Sequence, residues 1–307
     1  MGLALSTSWN AFRHSNAKNL LFEITGLGFE ELELSFNLSP KIIEGIEDAV
    51  RKNTVRITSL HNFCPIPEGI KQVAALPDCY SMASPDPEER ELSVRYTKIS
   101  IDTARRLGAK ALVLHCGRIE IPDRTRELIH LYQARSSKSP AFKELKSKAI
   151  EERASHSREF LENTLRSLEE LSRYAAKEGI SLGIETRFYH REIPSFDEIG
   201  VILKKFKGSP IHYWHDTGHA QVMQNLGFFR HEDFLDAYGQ DIIGIHLHDV
   251  NNCLDHHAPG KGELDFSRFR RYLKKETLKV IEAHHPATPQ DIKESKKLLE
   301  GIFNDIL

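Results

Sequence analysis

The sequence predicts an α/β fold in which eight parallel strands and their helices close into one (β/α)8 TIM barrel over residues 1–307. Two observations predict it. Short apolar runs alternate with longer segments of helical periodicity, and eight such pairs follow one another along the chain. This alternation implies right-handed crossovers and a parallel sheet, and eight repeats close a barrel. A doubly wound open sheet is the alternative.

The eight predicted strands are apolar runs bounded by glycine or polar residues. They cover residues 3–9, 31–36, 55–61, 109–115, 181–185, 211–216, 242–248 and 278–282. Helices are predicted between them and after the last one. Two helix starts carry capping chemistry, because Ser195 stands three residues before Glu198 and Thr288 directly precedes Pro289.

Two connections are longer than a barrel requires. Residues 64–89, rich in proline, follow the third strand, and residues 121–155, rich in charge, follow the fourth. Because both follow strands, both belong at the C-terminal face, where the active sites of barrels lie. We expect long βα loops that serve as lids or binding loops, with a tolerated surface insertion as the alternative.

The composition is that of an ordinary globular protein, with 40% hydrophobic residues, 28% charged residues and a net charge of -2. This balance favours neither a nucleic-acid partner nor a membrane surface. The four cysteines are widely spaced and form no Cys-x-x-Cys pair. Reduced cysteines and the lack of a secretion signal or membrane span predict a cytoplasmic protein, whose homo-oligomeric state stays open.

Six of the eight predicted strands end in a residue of a metal-ligand type. They are His61, His115, Glu185, Asp216, His246 and Glu282. From Glu185 onward they are separated by 31, 30 and 36 residues, close to the length of a βα unit of about 30 residues. In a barrel such positions converge on one mouth. For any one residue the alternative is a helix N-cap or a hydrogen-bonded core histidine.

Carboxylates that face each other in a dry pocket repel, unless a cation compensates them. Two Glu, one Asp and one His suit Mn²⁺ or Zn²⁺, with Co²⁺, Fe²⁺ and Mg²⁺ as alternatives. Strand alternation puts Gly244 on the inner face below His246, where it would leave room for the ring. By the same alternation His215 points outward and is structural, and His190, His231 and His285 are surface or packing residues.

Several segments together resemble one known family, the xylose-isomerase-like TIM barrels. "GFEELELS" resembles its second strand, "LGIET" its fifth, "HDTGHA" its Asp-x-x-His strand end and "IHLHDVNN" its seventh. "DHHAPGKGELDF" resembles the His-x-x-Pro-Gly-x-Gly-x-x-Asp segment that follows. The resemblance spans nearly the whole chain. The family includes sugar phosphate isomerases and epimerases and the apurinic endonuclease IV enzymes.

The resemblance implies that Glu185, Asp216, His246 and Glu282 bind one metal. It also places His61, His115, His219 and His256 on histidines that bind two further zinc ions in endonuclease IV. Two positions depart from the endonuclease pattern. The family's Asp two residues before the last of these histidines is Leu254 here, with Asp255 shifted by one, and the Tyr three residues after the first is Cys64.

We therefore expect a divalent-metal-dependent isomerase or epimerase that acts on a small sugar or sugar phosphate. The metal would polarise the carbonyl, Glu185 and Glu282 would act as acid and base, and His219 would hold a hydroxyl or shuttle its proton. The expected substrate-binding residues are His61, His115, Arg187, His248, His256 and Lys261. Of these, Arg187 or Lys261 would bind a phosphate or carboxylate. The alternatives are a multi-zinc phosphoesterase acting on abasic DNA and a barrel that has lost catalysis.

Overall fold

Eight parallel strands close into a barrel in the computed structural model, which describes residues 2–307. The barrel strands are β1 (Leu3–Ser6), β2 (Glu31–Leu34), β3 (Arg56–His61), β4 (Ala111–Leu114), β5 (Ser181–Glu185), β6 (Ile211–Asp216), β7 (Ile242–Leu247) and β10 (Leu278–Ile281). Their order around the barrel is β1-β10-β7-β6-β5-β4-β3-β2. The predicted (β/α)8 barrel and all eight predicted strands are confirmed.

An antiparallel hairpin follows β7 at the C-terminal face. It consists of β8 (Asp249–Asn251) and β9 (Leu254–His257). Because strand predictions rested on apolar runs, this short polar hairpin was not foreseen. It supplies Asp255 and His256 to the mouth of the barrel.

Nine helices lie in the described part of the chain. They are α1 (Ala17–Thr25), α2 (Pro40–Arg51), α3 (Pro87–Leu107), α4 (Arg124–Gln133), α5 (Pro140–Glu178), α6 (Phe196–Lys205), α7 (Thr217–Asn225), α8 (His231–Tyr238) and α9 (Pro289–Phe303). Ser195 and Glu198 form the predicted capping box of α6, and Thr288 caps α9 with Pro289 in its first turn. None of the helices in residues 2–307 is long and apolar enough to cross a membrane.

The connection after β4 differs from the irregular loop predicted for residues 121–155. It holds α4 and the first part of α5, which runs unbroken for 39 residues. Ser139 caps α5 and Pro140 starts it, so the charged segment belongs to an exposed helix face. Phe142 of α5 packs with Leu128 of α4 and Val222 of α7 in a small core of their own. The connection after β3 is irregular as predicted, apart from a short 3-10 turn at Gln72–Ala74.

Trp214 fills the inside of the barrel below the strand ends. Its fully buried ring lies among small and aliphatic side chains of β1, β4 and β10. The ring needs glycine on both neighbouring strands, because a Cβ on Gly183 would lie 2.9 Å from it and one on Gly244 2.1 Å from it. Gly244 therefore makes room for Trp214 and not, as predicted, for His246. The His246 ring stands edge-on above Trp214, with centroids 5.1 Å apart.

Candidate active site

Four buried side chains converge at the C-terminal ends of β5, β6, β7 and β10. They are the predicted metal ligands Glu185, Asp216, His246 and Glu282, and one ligand atom of each lies within 4.8 Å of the others. His246 Nδ1 is 2.6 Å from Glu185 Oε1, 3.0 Å from Glu282 Oε2 and 3.6 Å from Asp216 Oδ2. The nitrogen thus faces all three carboxylates.

The charges of this group are balanced by histidines and by Arg187. Burial alone would raise the pKa of Glu185, but the charge of His115 and hydrogen bonds from His115, His246 and His61 hold it well below its ordinary value. Glu282 has fewer such partners. Burial, together with the carboxylates of Glu33 and Glu185, raises its pKa to about 7. Three carboxylates and one imidazole at this separation fit a divalent cation, and the donor types suit Mn²⁺ or Zn²⁺.

Glu33 on β2 fixes the orientation of the His246 ring. Its carboxylate lies 3.1 Å from His246 Nε2 and accepts a hydrogen bond from Ser59 Oγ at 2.8 Å. When Nε2–H donates to Glu33, the lone pair of Nδ1 faces the other three ligands. Sequence reasoning missed Glu33. The signal was present, because Glu33 alternates with the outward-facing Leu32 and Leu34 and so had to point into the barrel.

Arg187, predicted to bind substrate, borders the cavity beside Glu185, with only 6% of its surface exposed. It donates to Glu185 Oε2 at 2.6 Å and to Glu192 Oε1 at 3.1 Å. His115 Nε2 lies 2.6 Å from the same Glu185 oxygen. The guanidinium is therefore engaged by carboxylates of the protein, and it holds Glu185 in place. Glu192 was missed by sequence reasoning.

Two further predicted residues take other roles. His248 is fully buried; its Nε2 lies 2.9 Å from both Asp216 oxygens, and its Nδ1 accepts a hydrogen bond from the His256 backbone N–H at 2.9 Å. It positions Asp216 and does not line the cavity. Lys261 pairs with Glu294 at 2.7 Å and Asp291 at 3.1 Å on the surface, outside the cavity wall. Neither residue contacts the space where a substrate would bind.

A second polar group is formed by His219, His256 and Asp255. His219 Nδ1 lies 2.9 Å from the carbonyl of Thr186, and His256 Nδ1 lies 3.1 Å from the carbonyl of Glu282. Since a carbonyl can only accept, both Nδ1 atoms carry a proton, and in the neutral imidazole Nε2 then presents a lone pair. These lone pairs face Asp255 Oδ2 at 3.6 and 3.5 Å. Such a convergence of acceptors suits a cation.

His61 belongs to a third group with His115 and Glu185. Its Nδ1 lies 3.2 Å from the Asn62 carbonyl, and its Nε2 lies 3.8 Å from Glu185 Oε2. Burial alone would lower the pKa of His61, but hydrogen bonding to Glu185 and the charge of that carboxylate raise it, so Nε2 faces Glu185 as a donor. All four histidines that the sequence suggested as further metal ligands therefore lie on the cavity wall.

His215 points outward, as its strand position predicts. Its Nδ1 lies 2.7 Å from the Tyr213 hydroxyl and its Nε2 lies 2.9 Å from His231 Nε2. The Tyr213 hydroxyl in turn lies 2.7 Å from Thr186 Oγ1. This buried chain packs between the barrel and α8, so neither histidine reaches the cavity.

A cavity of about 420 Å³ opens above the four ligands. Its floor includes Glu185 and Glu282, and its sides include His61, His115, His219 and His256. Phe36, Leu76, Phe188 and Tyr189 give it apolar surface. This volume lies within the range of about 300–1,000 Å³ that is usual for small-molecule sites.

Comparison with known proteins supports this description. A family model described as xylose isomerase-like TIM barrel matches residues 23–302. A search of curated proteins found no relative that matches the chain. Solved structures of similar fold include a D-tagatose 3-epimerase-like protein, with a TM-score of 0.69 and 22% identity, covering 100% of this chain and 98% of that one.

Two other solved structures carry ligands of interest. A D-allulose 3-epimerase from Methylomonas sp., solved in complex with D-allulose, has a TM-score of 0.68 and 15% identity, covering 99% of this chain and 96% of that one. The IolI protein, solved with a bound zinc atom, has a TM-score of 0.66 and 15% identity, covering 100% and 99%. At sequence identities of 15–22%, the similarity to these structures shows a shared fold only.

Proposed function

The chain belongs to the xylose isomerase-like TIM barrel family, and from this premise we propose that it is a divalent-metal-dependent isomerase or epimerase of small sugars or sugar phosphates. The observation that carries the proposal is the contrast between Glu185 and Glu282. Both carboxylates reach His246 Nδ1, but they come from the ends of β5 and β10, three strands apart in the barrel, and differ in their surroundings.

Glu282 is suited to proton transfer at neutral pH. Without a cation its pKa is raised to about 7, and a bound cation would favour the ionised form that acts as a base. Glu185, in contrast, is held by Arg187, His115 and His246, and its lowered pKa keeps it ionised. We assign Glu282 the removal of a proton from the carbon next to the substrate carbonyl. Glu185 would act from the other side of that carbon, where it would return the proton or stabilise the developing charge.

A divalent cation held by Glu185, Asp216, His246 and Glu282 would supply Lewis-acid polarisation of the carbonyl. The cavity histidines complete the site. With Nδ1 of each ring bound to a backbone carbonyl, the neutral imidazoles of His219 and His256 can accept hydrogen bonds from sugar hydroxyls at Nε2. Phe36 and Phe188 offer apolar faces to the C–H side of a sugar ring.

The neighbours support this assignment without deciding it. The D-allulose 3-epimerase holds a ketose in the same kind of barrel, and the IolI protein holds zinc. The substrate of this chain is therefore proposed by class only, as a ketose, aldose or one of their phosphates.

The test is a panel of ketoses, aldoses and their phosphates, incubated in D₂O with Mn²⁺ or Zn²⁺. We expect interconversion of one pair, with deuterium entering next to the carbonyl. Glu282→Gln should fold and bind the cation more weakly through the three remaining ligands, and at saturating cation it should lose both turnover and deuterium exchange. Exchange in that variant at the wild-type rate would contradict the assignment of Glu282 as the base.

A second candidate function is a multi-metal phosphoesterase, as the sequence also suggested. One observation favours it: Asp255, although shifted by one residue, reaches both His219 and His256. The two groups around Asp255 and His61 could hold further cations and activate water between them. Metal analysis separates the candidates. About one ion per chain agrees with the isomerase, whereas about three ions and cleavage of abasic DNA or a phosphate ester would agree with the hydrolase.

A further inference from the structure

The rim of the cavity carries three arginines that no role described above uses. Arg118 lies in the loop after β4, Arg126 in the first turn of α4 and Arg191 in the loop after β5. We call them the arginine wall. The two loops pair through their backbones, since Ile119 N–H donates to the Arg191 carbonyl at 2.8 Å. Arg118 and Arg191 are thereby held on adjoining segments.

The guanidinium groups of the arginine wall have more N–H donors than hydrogen-bond partners in the protein. Each guanidinium offers five N–H groups. Arg118 donates to Asp78 at 2.8 Å, and Arg191 donates to the Ile121 carbonyl at 3.2 Å. The buried Nε of Arg191 has no hydrogen-bond partner among residues 2–307. A buried donor without an acceptor is unfavourable, so a ligand that supplies acceptors would be favoured there.

The charge of the wall is positive. Asp78 pairs with Arg118, while Asp123 serves both Arg126 and Arg191. Two carboxylates therefore face three guanidinium groups. Arg187 adds nothing to this surplus, because Glu185 and Glu192 surround it.

The cavity is lined mainly by charged, imidazole and aromatic side chains. Within the described residues that line it, none is Ser, Thr, Asn or Gln. Away from the metal ligands and histidines, its nitrogen donors are guanidinium groups. Guanidinium forks match the oxygens of phosphate, and the pairing is charge-assisted.

We propose that the arginine wall binds the phosphate group of a phosphorylated sugar whose carbonyl end lies on the metal ligands. This inference rests on the proposed function, and it narrows the substrate from sugars in general to sugar phosphates. It also reassigns anion binding from Arg187 and Lys261, which the protein uses elsewhere, to Arg118, Arg126 and Arg191.

The test is a calorimetric titration with inorganic phosphate. It is carried out on the metal-loaded protein and again after dialysis against a chelator. Arg118 and Arg126 are 45% and 72% exposed, so the double variant Arg118→Gln/Arg126→Gln should fold, and its thermal unfolding checks this. We expect phosphate to bind in both preparations and the double variant to bind at least about tenfold more weakly, since each charge-assisted bond contributes about 1.5–3 kcal/mol. Lys261→Gln, which removes a cation outside the cavity, is the matched control and should bind as the wild type does.

Two results would overturn the proposal. One is phosphate binding that survives in the double variant but disappears with the metal, because the anion would then bind the cation itself. The other is acetate binding more tightly than phosphate at the same wall. Neither readout needs turnover. If no sugar is converted and phosphate still depends on the arginines, the isomerase assignment fails while the arginine wall stands.

Discussion

Glu33 and His246 form a carboxylate–imidazole pair in which Nε2 of the ring, 3.1 Å from Glu33, is turned away from the metal ligands. Both side chains are fully buried. The negative charge of Glu33 makes the ring a stronger donor of its Nδ1 lone pair, and it fixes the tautomer that a cation at Nδ1 requires.

Glu33→Gln should therefore weaken the binding of Mn²⁺ or Zn²⁺ by about 10–100-fold, the usual cost of losing such a partner. The amide keeps the shape but not the charge. Calorimetric titration of the metal-free variant measures the effect. Ser59→Ala, which removes only the hydroxyl that donates to Glu33, is the milder comparison and should fall between the variant and wild type. Unchanged affinity in Glu33→Gln would mean that the pair is structural only.

Glu282 makes metal affinity depend on pH. Burial raises its folded pKa to about 7, above its ordinary value of 4.5, so its protonated form contributes stability below pH 4.5 that is lost as pH rises through 7. The ionised form that a cation needs appears over the same interval. We expect Mn²⁺ to raise the unfolding temperature more at pH 8 than at pH 5.5. In Glu282→Gln this difference should shrink, and an unchanged difference would assign the titration to another group.

Arg187 is expected to stabilise the fold because its guanidinium bridges the carboxylates of Glu185 and Glu192. Arg187→Gln leaves Glu185 and Glu192 buried without their partner, and breaking a buried pair in this way costs about 3–5 kcal/mol. Adding Mn²⁺ should recover part of the loss, because a cation also compensates Glu185. Denaturant unfolding with and without the metal measures both quantities. Lys261→Gln breaks an exposed pair and should cost about 0–1 kcal/mol.

Gly244 tests the packing of Trp214. A methyl group there would meet the ring at 2.1 Å, so Gly244→Ala should destabilise the protein by about 1–3 kcal/mol or more. Gly301 is the control, since it lies within α9 and its Cβ would meet nothing within 4 Å. Gly301→Ala should stabilise the helix by about 0.5–1 kcal/mol. If both alanines behaved alike in thermal unfolding, the close contact with Trp214 would be wrong.

The sequence predicted the barrel and the convergence of its strand ends because both follow from local patterns. Glu185, Asp216, His246 and Glu282 each end an apolar run, and the regular spacing of those runs already placed them together. Glu33 was missed because it lies inside a strand instead of at its end. The first part of α5 and the whole of α4 were missed because a charged surface helix and a charged loop have similar compositions.

The position of Asp255 beside His219 and His256 could not be predicted from the spacing of residues along the sequence. Adjacent residues of a regular strand point to opposite faces, so Asp255 and His256 were not expected to meet. His256 has a left-handed backbone with φ of 54°, which breaks this alternation. Backbone strain of this kind is held in place by the surrounding structure and is common where side chains gather for function.

The indole of Trp214, wedged between the two glycines, also closes the inside of the barrel beneath the ligands. The cavity therefore does not continue through the barrel towards its N-terminal face. A ligand of this chain is expected to enter and leave at the C-terminal face, past the side chains of the βα loops.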